Sequence, residues 1–120
     1  MAWKLSEKNR VIATLQRLHQ AAQKLEVQLR VKHPQEDADR LWESNQRLAT
    51  EIDALIGRAL DDWGRGAANA ISGLNRAADG FKSATDDIKH KIEVAKKIVR
   101  AASYIDDAVE IAKKLLVKIA

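Results

Sequence analysis

Apolar residues recur along the first half of the chain at alternating intervals of four and three residues. In the first set they are Val11, Leu15, Leu18, Ala22, Leu25 and Leu29. After Pro34 the pattern returns at Leu41, Asn45, Leu48, Ile52, Leu55 and Ala59. This spacing places each set on one face of an α-helix, and proline is favoured in a first helical turn. The sequence therefore predicts two long helices, 6–33 and 35–63, joined by a short link as an antiparallel hairpin.

Asn45 is the one polar residue within the apolar face of the second helix. A single buried asparagine between packed helices usually fixes their register, at some cost in stability. We therefore predict that Asn45 is a register-setting polar residue of the core.

The stretch DDWGRGAANAISGLNRAADG, residues 61–80, holds four of the five glycines of the chain. Its small residues follow helical spacing and continue beyond the stretch, as Gly66, Ala70, Gly73, Ala77, Gly80 and Ala84. A glycine inside a helix costs about 1 kcal/mol relative to alanine, but a face of small residues lets another helix approach closely. Three interpretations stay open: a close-packing seam, a short helix that Gly80 ends before a cap at Ser83, or a mobile, adaptable segment. The predicted boundaries follow the second, with helices at 66–79 and 84–119.

The C-terminal helix carries apolar residues over an unusually broad face. Its main column includes Ile98, Ile105, Val109, Ala112, Leu116 and Ile119. A second column widens this face, at Val94, Ala101, Ala108, Ile111 and Leu115. So broad a face requires more than one neighbour, which is the N-terminal hairpin, another subunit or a membrane surface.

These patterns predict an all-α fold, a single domain over residues 1–120. It is a helical bundle of three long helices plus one short Gly/Ala-rich helix. The composition agrees, because the chain is 46% hydrophobic but only 4% aromatic and contains one proline. Strong helix formers dominate the remainder.

Charge is distributed unevenly along the chain. Residues 1–34 contain seven Lys/Arg and two acids, whereas residues 35–62 contain three Lys/Arg and eight acids. On the first helix, Arg10, Arg17 and Lys24 form a cationic stripe beside the apolar face. The simplest interpretation is that the two segments neutralise each other across the hairpin.

Candidate chemistry is sparse. There is no cysteine, no glycine-rich phosphate loop and no GxSxG motif. Asp86, Asp87 and His90 share one helical turn, but a di-iron bundle needs a second acid-x-x-His helix. We predict no catalytic residue, no metal and no cofactor. Without a signal-peptide pattern or a long uncharged run, a cytoplasmic location is expected, and export without a cleaved signal stays open.

The sequence therefore predicts a non-catalytic protein-interaction module, acting as an adaptor, a chaperone-like or regulatory subunit, or a self-assembling scaffold. Binding is expected through the small-residue seam 66–84 and the broad face 88–119. The alternative is a membrane-active protein whose amphipathic segment 66–119 associates with or inserts into lipid. Nucleic-acid binding through the first helix has the least support, because aromatic residues for stacking are nearly absent.

Overall fold

Four α-helices make up most of the chain. The computed structural model describes residues 3–64 and 67–116. The helices are α1 (Leu5–Lys32), α2 (Asp39–Ile56), α3 (Ala67–Lys89) and α4 (Val94–Leu115), with a 3-10 turn at Leu60–Asp62. No strand occurs in the described ranges. The predicted all-α class is confirmed.

The four helices pack around a common core. α1 packs on α2, α2 on α4 and α3 on α4, while α1 and α3 meet more loosely along the fourth side. The molecule measures 46 × 22 × 20 Å, so its length follows the helix axes. Leucine, isoleucine and alanine fill the core, with Leu15, Leu41, Leu48 and Ile105 each fully buried.

The third helix does not end at Gly80. It continues to Lys89, so the predicted short helix 66–79 and the predicted start at residue 84 are wrong. The physical reason is a tertiary contact, because a Cβ at position 80 would overlap the aromatic ring of Tyr104 on α4. Gly80 permits close helix packing instead of terminating a helix.

The turn between α3 and α4 comprises residues 90–93 and contains neither glycine nor proline. Two residues of this region have positive φ, Lys91 at 58° and Glu93 at 42°. The left-handed region costs a residue with a Cβ about 1–2 kcal/mol, and glycine largely escapes this cost. The turn is therefore a local source of strain.

We expect Lys91→Gly to stabilise the chain by about 1 kcal/mol, because it removes this strain at an exposed position. Lys96→Gly, at an exposed position inside α4, is the control and should destabilise by about 1 kcal/mol. Urea unfolding followed by circular dichroism measures both. Equal losses of stability would show that the backbone at position 91 is not strained.

The second helix ends at Ile56, earlier than the predicted residue 63. Gly57, a poor helix former, follows it, and the chain then folds back over the end of the bundle. Trp63 is 5% exposed there and packs edge-to-face on Trp3, with ring centroids 5.1 Å apart. The Trp3 indole donates a hydrogen bond to the carbonyl of Gly64. These contacts close one end of the bundle.

Candidate interaction groove

The two surfaces predicted to bind a partner lie inside the bundle. On α4, the side chains of Ile98, Ile105, Val109 and Ala112 are buried, and Leu116, which follows α4, is half-buried. On α3, Ala70, Ala77 and Ala84 are buried, and Gly73 and Gly80 are half-buried. Gly66 and Ile119 lie outside the described residues.

The small-residue seam of α3 and the broad face of α4 are packed against each other. A Cβ at Gly73 would come within 2.9 Å of Ile111 Cδ1, and one at Gly80 would overlap Tyr104. The remainder of the broad face packs on α2. Neither surface is open to a partner while the bundle is closed.

Asn45 is buried between α1 and α2, at 4% exposure. Its side-chain amide donates to the backbone carbonyl of His19 at 3.2 Å, and its Oδ1 lies 2.8 Å from His19 Nδ1. Because the amide nitrogen donates, Oδ1 accepts a hydrogen bond from Nδ1–H. Asn45 thus links one residue of α1 to one position of α2, an arrangement suited to fixing their register.

An open groove runs between α1 and α3, the most loosely packed neighbouring pair of helices. Its first section has a cavity volume of about 450 Å³. The floor is mainly apolar and consists of Leu18, Ala21 and Leu25 on α1 and Ala78, Phe81 and Thr85 on α3. Because Ala21 and Ala78 are small, they leave room above the buried leucines and the phenylalanine ring. This volume falls within the ~300–1,000 Å³ of typical ligand pockets.

A second section continues the groove toward the α3–α4 turn, with a volume of about 490 Å³. The two sections share Leu25, Gln28 and Lys89, and the second extends to His33 and Ile88. Together they follow α1 from Thr14 to His33, which is ~28 Å at ~1.5 Å per residue. The groove is thus about five helical turns long.

Basic side chains border both sections. We call them the cationic rim, which consists of Arg17, Lys24, Lys32, Lys82, Lys89 and Lys91. Asp86 is the one carboxylate lining the groove. None of the ion pairs within residues 3–64 and 67–116 involves a residue of the rim. The rim therefore presents uncompensated positive charge around an apolar floor.

The predicted neutralisation of α1 by α2 does not include the cationic stripe, because none of its three residues forms an ion pair with a described residue. Across the described residues, a single ion pair joins α1 and α2, between Arg30 and Asp39 at 2.9 Å. Hydrogen bonds to Asp39 and Glu26 raise the pKa of Arg30. Arg17 and Lys24 instead line the groove, on the side of α1 that faces α3.

The sequence-based prediction missed the groove because it divided α3. With a helix end placed at Gly80, Ala78 and Phe81 belonged to different elements. In the continuous helix they share one face with Lys82, Thr85 and Lys89, as spacings of three and four residues require. The available signal was the seven-residue spacing of Arg17 and Lys24 on α1 and of Lys82 and Lys89 on α3.

His90 Nδ1 lies 2.8 Å from the backbone oxygen of Asp86, so this ring contacts its own helix end. Within residues 3–64 and 67–116, no group of three or more histidine or acidic side chains could hold a metal ion. No helix in the same ranges is long and apolar enough to cross a bilayer.

Comparisons of the chain with protein-family models, with curated proteins and with solved structures found no match in any of the three.

Proposed function

We propose that the chain is a non-catalytic protein-interaction module that binds an acidic amphipathic helix in the α1–α3 groove. It would act as an adaptor, a chaperone-like or regulatory subunit, or a self-assembling scaffold. In this proposal the two antiparallel hairpins form a bundle with one side left open for a fifth helix.

The observation that carries the proposal is the groove itself. It is ~28 Å long and bordered by two helices, and an α-helix is ~10 Å wide. Helix-in-groove recognition uses apolar anchors at i, i+3, i+4 and i+7, and the apolar floor offers contacts along the whole length. The cationic rim favours acidic residues beside those anchors.

A synthetic peptide tests the proposal. The probe is a 17-residue helix with leucines at i, i+3, i+7 and i+10 and glutamates beside them, and its control replaces every glutamate by lysine. NMR titration should show the acidic peptide shifting the amide signals of Leu18, Ala21 and Phe81. We expect the lysine peptide to bind at least about tenfold more weakly, because it repels the rim.

Two outcomes would remove the proposal. One is no saturable binding at about 1 mM peptide. The other is a pattern of shifted signals outside the groove, for example on the exposed side of α4 around Ala95. A charge-matched variant checks specificity, since Lys24→Glu should weaken binding and Lys113→Glu, exposed on α4, should not.

The membrane alternative predicts a different result. It requires segment 66–119 to leave the bundle and expose residues that are now buried, such as Leu74, Ile98 and Ile105. Co-sedimentation with phosphatidylserine vesicles, in the absence of peptide binding, would favour the alternative. Nucleic-acid binding would also use the cationic rim, whose side chains could contact phosphates. The apolar floor of the groove would not contribute to binding phosphate groups.

A further inference from the structure

We infer that the helix bound by the groove is α2 of a second copy of this chain. This inference rests on the proposed function and identifies its partner. The surface involved is the exposed side of α2, with Trp42, Ala49 and Ile56 as apolar anchors and Glu43 and Asp53 as acidic neighbours. We call it the α2 outer face.

The anchors of the α2 outer face are exposed although they are apolar. Trp42 and Ile56 are each 49% exposed, and Ala49 is half-buried. They recur every seven residues, so they form one column along the helix. The column spans ~21 Å, which fits within the ~28 Å of the groove. Exposed tryptophans are frequent anchors of protein interfaces.

Charge is complementary between the two surfaces. Glu43 and Asp53 are exposed, and neither forms an ion pair with any other described residue. The groove has the opposite character, because six basic side chains surround it and one carboxylate accompanies them. Docking α2 into the groove would bring these unpaired acids beside unpaired cations.

The chain cannot fill its own groove with α2. Gln16, His19 and Gln20 of α1 border the α2 outer face, whereas Arg17 and Ala21 line the groove on a different side of α1. Each copy thus offers one groove and one α2 outer face. Because the groove and the α2 outer face lie on different sides of α1, we infer a head-to-tail contact, which generates rings or open chains.

Two complementary variants test this geometry. Ala21→Glu places an acid on the groove floor and leaves α2 intact, and Trp42→Ala removes the largest anchor of α2 and leaves the groove intact. Ala21 is exposed and Trp42 is half-exposed, so both variants should fold, which circular dichroism checks. Val99→Ala, a 48% exposed apolar position on α4, is the matched control.

Light scattering and sedimentation velocity provide the readout. We expect the wild type and Val99→Ala to form oligomers that grow with concentration, and each groove or α2 variant to be monomeric. An equimolar mixture of Ala21→Glu and Trp42→Ala should form a 1:1 dimer that grows no further, because one groove and one α2 outer face remain. Glu43→Lys should weaken the wild-type association about tenfold, and raising the salt to about 0.5 M should weaken it as well.

Three results would overturn the inference. They are a wild type that stays monomeric at about 1 mM, a mixture that contains no dimer, and variants that associate as strongly as Val99→Ala. If the acidic peptide still binds the groove in such a case, the proposed function stands with a partner other than a second copy. If the peptide fails to bind as well, both proposals are rejected.

Discussion

Gly80→Leu should destabilise the chain by about 3 kcal/mol or more. At this position even a Cβ overlaps the ring of Tyr104, and a leucine side chain would force α3 and α4 apart. Overpacking of a core usually costs ~1–3 kcal/mol and sometimes exceeds that range. Because a domain is stable by only ~5–15 kcal/mol, the loss should be visible as a lower urea midpoint or as failure to fold.

A smaller substitution separates packing from helix propensity. Gly80→Ala gains about 1 kcal/mol of propensity but places its methyl group against Tyr104, so we expect a net loss of stability. With Tyr104→Ala as the background, the same substitution should stabilise, since the ring is gone. A double-mutant cycle therefore tests the contact, because the effect of Gly80→Ala on the free energy of unfolding should change sign when the Tyr104 ring is removed. Ser83→Leu, exposed on α3, should alter stability by less than about 0.5 kcal/mol.

If Gly80→Ala stabilises both backgrounds equally, α3 and α4 are not in close contact at this point. Gly73 offers a comparison, because its Cβ would meet the flexible end of Ile111 and not an aromatic ring. We therefore expect Gly73→Ala to be tolerated better than Gly80→Ala. A larger loss of stability for Gly80→Ala than for Gly73→Ala would support the contacts of the small-residue seam described above.

Helical periodicity alone was sufficient to predict α1. The predicted bounds 6–33 differ by one residue at each end from Leu5–Lys32, because one uninterrupted apolar face defines this helix. The apolar columns of the other helices also predicted which side chains are buried, for example Leu41, Leu48 and Ile105. Burial depends on spacing, and spacing is directly visible in a sequence.

The position of the α3–α4 turn was not predictable in the same way. Gly80 and Ser83 resemble a helix end followed by a cap, whereas the true turn contains Lys91 and Glu93 in the left-handed region. A local pattern cannot report that a ring from a distant residue requires a glycine. Nor can it report that packing of two long helices outweighs strain in the turn between them.

The candidate groove was missed for the same reason, because α3 was divided at Gly80. Only a continuous α3 places Phe81 and Thr85 opposite Ala21, and only the packing order of the helices decides which side remains open. Charge distribution along the sequence predicted a cationic stripe on the first helix. It also suggested that α2 would neutralise this stripe, whereas Arg17 and Lys24 line the groove beside α3. Opposite net charges on successive helices do not determine which faces of those helices meet.

Trp63→Ala should cost about 3–5 kcal/mol, since it removes a buried indole from the end of the bundle. Trp63 packs on Trp3 of the N-terminal segment, and its backbone forms a bridge with Leu116 after α4. Residue 63 therefore joins three distant segments, through its side chain to Trp3 and through its backbone to Leu116. Hydrogen exchange should show loss of protection at this end of the bundle, beyond the general loss of stability.

The two tryptophans should respond differently to phenylalanine. The Trp3 indole N–H donates to the carbonyl of Gly64, whereas the Trp63 indole N–H is buried without a hydrogen-bond partner among the described residues. Trp3→Phe leaves a carbonyl without its donor, but Trp63→Phe removes a buried donor that has no acceptor. We expect Trp3→Phe to cost about 1 kcal/mol more than Trp63→Phe, measured by urea unfolding with circular dichroism. Equal costs would mean that the hydrogen bond to Gly64 contributes nothing to stability and that both rings act through packing alone.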